Sequence, residues 1–244
     1  MSVVLTRLVN NIRAELSFLL SLFGICRVRH LPTFVSVEPA HCCQLTCPDC
    51  ALGSGLISKG GLMPLATFRQ VLKQVSPYVH TMQFYFQGEP LLNPQLPEMI
   101  RLAHRAHIYT TCSTNAQALT PLLATQLVQA GLDRIIVSID GLSEASYQAY
   151  RVGGSLNQAL KGLAYLRSAK GQPGGNTHIE LQCLRLRSNE HEWHLFRRSY
   201  RQMGADSLTL KTAQFYDYEQ GNPLMPTDER YNRYHQLSNG QFVP

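Results

Sequence analysis

A chain of 244 residues, 44% hydrophobic and 16% charged, carries enough apolar content for one packed domain and too much of it for a disordered segment. Its net charge of +6 comes from scattered side chains, grouped only at residues 27–30 (RVRH) and 196–201 (FRRSYR). That pattern describes a solvated basic surface, and a nucleic-acid partner is not expected from it.

At the N-terminus, residues 15–26 (ELSFLLSLFGIC) form an apolar run behind Arg7 and Arg13. The run is shorter than the roughly 20 apolar residues that span a bilayer. Ile25, Cys26, Arg27 and Val28 supply no small-residue cleavage site. A helix packed over one end of a cytoplasmic protein is expected, with a helix lying on a membrane surface as the alternative.

Strand and helix patterns then alternate. Residues 33–38 (TFVSVE) read as a strand that runs into a cysteine-rich loop, and 65–75 as a helix. Strands are expected at 81–87, 108–114, 134–140, 178–186 and 207–212, with RIIVSID the clearest buried one. Helices are expected at 96–106, 119–131, 143–151, 155–170 and 190–204. Thr120 and Ser155 are placed as N-caps, and Gly131 as a stop. From Phe215 onward the chain turns polar and rich in turn residues.

Six strands separated by helices imply a parallel sheet with right-handed crossovers, either doubly wound or curled into a barrel. Both place their chemistry at the C-terminal strand ends. The segments found there are Cys43–Cys50, then Gln87-Gly88-Glu89-Pro90, Ser113-Thr114-Asn115, Asp140-Gly141, Arg185 with Arg187, and Lys211-Thr212.

Four of the seven cysteines lie within HCCQLTCPDC, residues 41–50. Cys43, Cys47 and Cys50 stand at C-x3-C-x2-C, close enough to wrap thiolates around one centre. Three thiolates leave one corner of a 4Fe–4S cluster open. Zinc is the rival, with His41 or Cys42 as a fourth ligand, and a disulfide or inert thiols follow. Cys42 breaks the spacing and reads as a bystander. Cys26, Cys112 and Cys183 sit in apolar surroundings and are expected in the core.

Taken together, C-x3-C-x2-C after the first strand, GEP (88–90) after the second, STN (113–115) after the third and SIDG (138–141) after the fourth resemble the radical SAM superfamily. The closest resemblance is to the branch with SPASM-type C-terminal extensions, supported by GGLMPLATF and QFYFQGEPLLNP, and it runs from residue 34 to 212. The resemblance implies an α/β fold, a partial (βα)6 TIM-like barrel, here behind an N-terminal helical extension. The implied organisation is an extension at 1–31, a radical SAM core at 32–214 and a tail at 215–244, which is either a core-only end or a truncated extension.

The implied activity is reductive cleavage of S-adenosylmethionine (SAM) to a 5′-deoxyadenosyl radical that takes hydrogen from a substrate, a peptide or a cofactor precursor. Cys43, Cys47 and Cys50 would hold three irons of a 4Fe–4S cluster. Gly88, Glu89, Pro90, Ser113, Asn115, Ser138, Asp140 and Arg185 would contact SAM, with Arg187 in competition for the last role. A flavodoxin- or ferredoxin-type electron donor is implied as partner. Three positions depart from the family pattern: Gln87 replaces the first glycine of GGEP, Asp49 stands where an aromatic often precedes the last cysteine, and Ala116 ends the STNG pattern. Two other classes remain open on the sequence, a zinc-stabilised RNA-binding module and a catalytically inactive cluster-binding relic.

Overall fold

The computed structural model describes residues 3–244. Six parallel strands form one sheet in the order of the chain: β1 (Phe34–Ser36), β2 (Thr81–Gln83), β3 (Tyr109–Thr114), β4 (Arg134–Ser138), β5 (His178–Arg185) and β6 (Ser207–Thr212). The first and last strands do not pair, so the sheet is an open, partial barrel. Each parallel step needs a crossover, and helices supply them. They are α2 (Leu65–Val75), α3 (Leu96–Arg105), α4 (Pro121–Gln129), α5 (Glu144–Gln148), α6 (Leu156–Lys170) and α7 (Trp193–Met203), and α1 (Val3–Ser21) precedes β1.

Local chemistry sets these boundaries. Thr120 caps α4 by accepting from the Leu123 N–H at 3.1 Å, and Pro121 takes the first turn, where a missing N–H costs nothing. Ser155 caps α6, and Gly204 ends α7 at φ 107°, a conformation open to glycine. β2 and β4 end earlier than the sequence suggests. The chain leaves the ladder at Gln83 rather than Gln87, and at Ser138 rather than Asp140, because these stretches turn to line the rim.

The main core lies between the sheet and its helices. Phe68, Met82, Phe84, Ile100, Ile135, Val137, Leu163, Leu181 and Phe196 are all fully buried there, as are Cys112 and Cys183. A second cluster sits at the C-terminal edge of the strands. In it Phe215, Met225 and Tyr234 pack on Leu45, Cys47, Tyr150 and Leu186. The polar, turn-rich tail thus covers the cysteine loop. It also forms a short antiparallel pair, β7 (His235–Gln236) with β8 (Phe242–Val243).

Two expectations near the N-terminus are corrected. The helix begins at Val3 rather than near Glu15, and it packs through polar rather than apolar side chains, burying Arg7 and Asn10. Cys26 is exposed, because the segment after α1 stays on the surface.

Candidate active site

The site begins with a lattice joining the β1 and β2 loops. Glu38 leaves β1, and its Oε1 accepts from the N–H groups of both Gln87 and Gly88 at 2.8 Å, while Oε2 meets His41 Nδ1 at 2.7 Å. Burial opposes the charge on Glu38, but the N–H groups of Gly88 and Gln87, with His41, outweigh it and hold the carboxyl below its usual range. The Glu89 N–H donates to the Cys42 carbonyl at 2.8 Å. A Cβ on Gly88 would come within 1.9 Å of the Ala40 carbonyl oxygen, and one on Gly53 within 2.7 Å of Cys47 backbone atoms. Glycine at both positions lets the cysteine loop close.

Glu89 is buried and connects this lattice to β3. Its Oε1 accepts from Thr114 Oγ1 at 2.7 Å and from the Leu91 N–H at 3.1 Å, and its Oε2 accepts from the Asn115 N–H at 2.8 Å. Burial raises its pKa despite these donors. Asn115 in turn donates through Nδ2 to Cys43 Sγ at 3.5 Å, so a chain of contacts runs from Glu89 to a cysteine.

Cys43, Cys47 and Cys50 line one cavity of about 440 Å³ and form no disulfide. Gly88, Glu89, Ser113, Asn115 and Ser138 line it as well. Pro90, Asp140 and Arg185 do not. Pro90 is buried at the start of a 3-10 turn. Asp140 is 1% exposed and binds the Leu184 N–H at 2.6 Å and Arg151 Nε at 2.5 Å. Arg185 stacks on the Tyr231 ring, 3.9 Å from its centroid, beside Trp193 and away from the thiols. Its bulk is consumed by the tail, which sequence pattern could not place.

Arg151, rather than Arg185, is the arginine among the cavity's lining residues. It lines the cavity from the loop after α5. Burial opposes its charge, but Asp140 outweighs that and keeps the guanidinium more firmly protonated than an ordinary arginine. No local pattern singled it out, because its pairing with Asp140 is a contact across the fold. Tyr216 and Asp49 reach the same wall from the tail and the cysteine loop, and Asn222 of the tail donates to Asp49 Oδ1 at 3.1 Å. Tyr85, Phe86 and Tyr216 supply the aromatic surface that Asp49 lacks. Ala116 holds the left-handed φ of 61°, which accounts for a glycine in the family pattern there.

Burial pushes the Cys47 thiol up to about 11 and raises Cys43. Soft thiolate donors are what iron–sulfur clusters use, and three of them share one wall here. Among the described residues no three His, Cys, Asp or Glu converge closely enough for a single metal ion. The three thiols border one cavity and are the donor type that an iron–sulfur cluster takes. The donor set fits such a group.

The match to known proteins decides the family. Residues 37–180 match the family model of the radical SAM superfamily. The chain belongs to this superfamily. Members use a 4Fe–4S cluster and SAM. The chain is 28% identical over 204 residues to the PqqA peptide cyclase of Gluconobacter oxydans, an alignment covering 82% of this chain and 55% of that protein. Its fold matches Streptococcus suis SuiB bound to the precursor peptide SuiA, with a TM-score of 0.64 at 16% identity, covering 83% of this chain and 43% of that one. It also matches anSMEcpe with bound AdoMet and Kp18Cys peptide, with a TM-score of 0.61 at 16% identity, covering 82% and 55%. This chain spans about half the length of the curated relatives it matches.

Proposed function

We propose that this radical SAM chain initiates hydrogen abstraction from a peptide side chain. The observation that carries the reading is that Cys43, Cys47, Cys50, Asn115, Ser138 and Arg151 line one cavity at the C-terminal strand ends. When bound, the cluster would supply the electron for reductive cleavage of SAM to methionine and a 5′-deoxyadenosyl radical. Cys43, Cys47 and Cys50 would hold three irons and leave a corner open.

The chain's own residues do the rest. Glu38 and Glu89 fix the β2 loop against the cysteine loop, so the thiols and the cavity wall keep one geometry. Arg151 offers a buried cation suited to a carboxylate. Ser113, Ser138 and Asn115 offer hydrogen-bond partners around it. Gly88 and Glu89 line the same cavity, and Asp140 holds Arg151 in place from behind it, while Pro90 and Arg185 lie outside its lining. The tail packs over the loop and excludes water from its apolar side.

A peptide substrate is supported by the names of the relatives, a peptide cyclase and two enzymes described with peptides bound. We place the extension at 1–31, the core at 32–214 and the tail at 215–244. The reading implies the cytoplasm, where thiols stay reduced, and a flavodoxin- or ferredoxin-type donor, whose acidic face suits a chain of net charge +6.

Anaerobic reconstitution followed by dithionite and SAM tests the reading. Formation of 5′-deoxyadenosine, carrying deuterium when a deuterated peptide is supplied, is the expected result. A brown protein that yields no 5′-deoxyadenosine identifies an inactive relic, and a colourless zinc protein restores the binding-module alternative.

A further inference from the structure

The N-terminal helix is inside out. Against the domain α1 buries Arg7 and Asn10, not an apolar stripe. Arg7 donates to the Ser76, Ala106 and His107 carbonyls at 2.6–2.8 Å, the ends of α2 and α3, where helix carbonyls lack partners. Asn10 makes two hydrogen bonds with the Leu31 backbone, at 2.9 and 3.0 Å. Polar anchoring leaves the hydrophobic side facing out. Leu8, Ile12, Leu16 and Leu19 are each 51% exposed or more, at a spacing that keeps them on one face of α1, and Phe23 just past its end is 81% exposed.

A cation set flanks this stripe. Arg13, Arg27 and Arg29 line a cavity of about 910 Å³ with Leu16, Leu20 and Ile25. Glu15 is the one acid between residues 3 and 31. α1 meets the strands at their N-terminal edge, through the chain ends that feed β2 and β3, while the cysteine cavity opens at the C-terminal edge. Anything docked on α1 therefore leaves the catalytic rim accessible.

We infer that α1 and residues 22–31 form a peripheral docking surface for a bilayer that carries anionic lipid. Exposed apolar side chains enter the acyl boundary, and the three arginines meet headgroup phosphates. A second copy of the chain is the poorer occupant. In a symmetric interface the same patch meets itself, so arginines would face arginines with Glu15 as the one acidic complement. α1 does not cross the bilayer, since no helix of the described residues is long and apolar enough.

Vesicle sedimentation with the full chain tests this. Two vesicle types are compared: phosphatidylcholine alone, and phosphatidylcholine with about one-third phosphatidylglycerol. The chain is expected to sediment with the anionic vesicles and to be released as salt is raised. Replacing Arg13, Arg27 and Arg29 by Gln should weaken binding about a hundredfold, roughly fivefold for each charge. Replacing Leu16, Leu19 and Phe23 by Ser should abolish binding while leaving the thermal melt of these exposed positions unchanged. No binding to anionic vesicles overturns the inference, as does binding unaffected by the arginine changes. A dimer in sedimentation velocity that the serine variant converts to monomer also overturns it and assigns the face to a second copy.

Discussion

Gly88→Ala isolates one contact on which the site depends. Gly88 is not among the glycines with positive φ, so alanine suits its backbone and any penalty is steric. The added Cβ would lie 1.9 Å from the Ala40 carbonyl oxygen, 2.9 Å from the Ala40 carbonyl carbon and 3.0 Å from the Cys42 nitrogen. All three are backbone atoms, so no side chain can rotate away. Reaching even a 3.0 Å separation requires a shift of about 1 Å between the two loops. Overpacking of this kind costs up to about 3 kcal/mol. A displacement of about 1 Å in catalytic geometry costs on the order of a hundredfold in rate. Urea unfolding and the rate of 5′-deoxyadenosine formation measure the two effects. Gly61→Ala is the control, since nothing lies within 4 Å of its Cβ, and it should change stability by less than about 0.5 kcal/mol. A Gly88→Ala protein matching that control in both assays would refute the packing argument.

Four other outcomes follow from the contacts described above. Cys47→Ala should lose iron binding and SAM cleavage together, and a variant that still cleaves SAM would show the ligand assignment to be wrong. Arg151→Ala should cost about 3–5 kcal/mol in urea unfolding, because Asp140 is 1% exposed and loses its counter-charge. Arg185→Ala should instead leave SAM cleavage within about twofold while removing a ring-stacked cation worth about 1–2 kcal/mol, and a collapse of cleavage would return Arg185 to the site. Burial opposes the charge of Asp206, but Lys170 and the Ile179 N–H outweigh it and hold the carboxyl below its ordinary range. A carboxylate with a depressed folded pKa stabilises the protein above its unfolded pKa and loses that contribution as pH falls through the folded value. Asp206→Asn should therefore lower stability by about 1 kcal/mol at neutral pH, and the gap should close toward pH 3. A gap that persists in acid would show that charge is not its source.

The sequence carried the barrel and the thiols because those signals are local. Six apolar strand segments alternate with capped helices, and β6 and α2 fall at the expected residues. The cysteine spacing and the strand-end segments pointed to one rim, and the cavity gathers most of them. The remainder depended on contacts between distant positions. Arg151 follows α5 and Arg185 ends β5, and only the Asp140 pair and the Tyr231 ring separate their roles. Glu38 looked like the end of a strand, yet it holds two N–H groups that lie 49 and 50 residues along the chain. The tail read only as polar and turn-rich because Phe215, Met225 and Tyr234 are too widely spaced to form a periodic pattern, although they pack together over the cysteine loop. In α1 the apolar residues suggested burial, but the stronger unmet need was that of the helix-end carbonyls, which Arg7 satisfies.

Electron paramagnetic resonance of the anaerobically reconstituted, reduced protein, recorded with and without SAM, tests the central claim most directly. The expected result is about four irons per chain and a spectrum that changes when SAM is added, because three thiolates leave one iron accessible. A protein without iron, or a cluster whose spectrum ignores SAM, would contradict it.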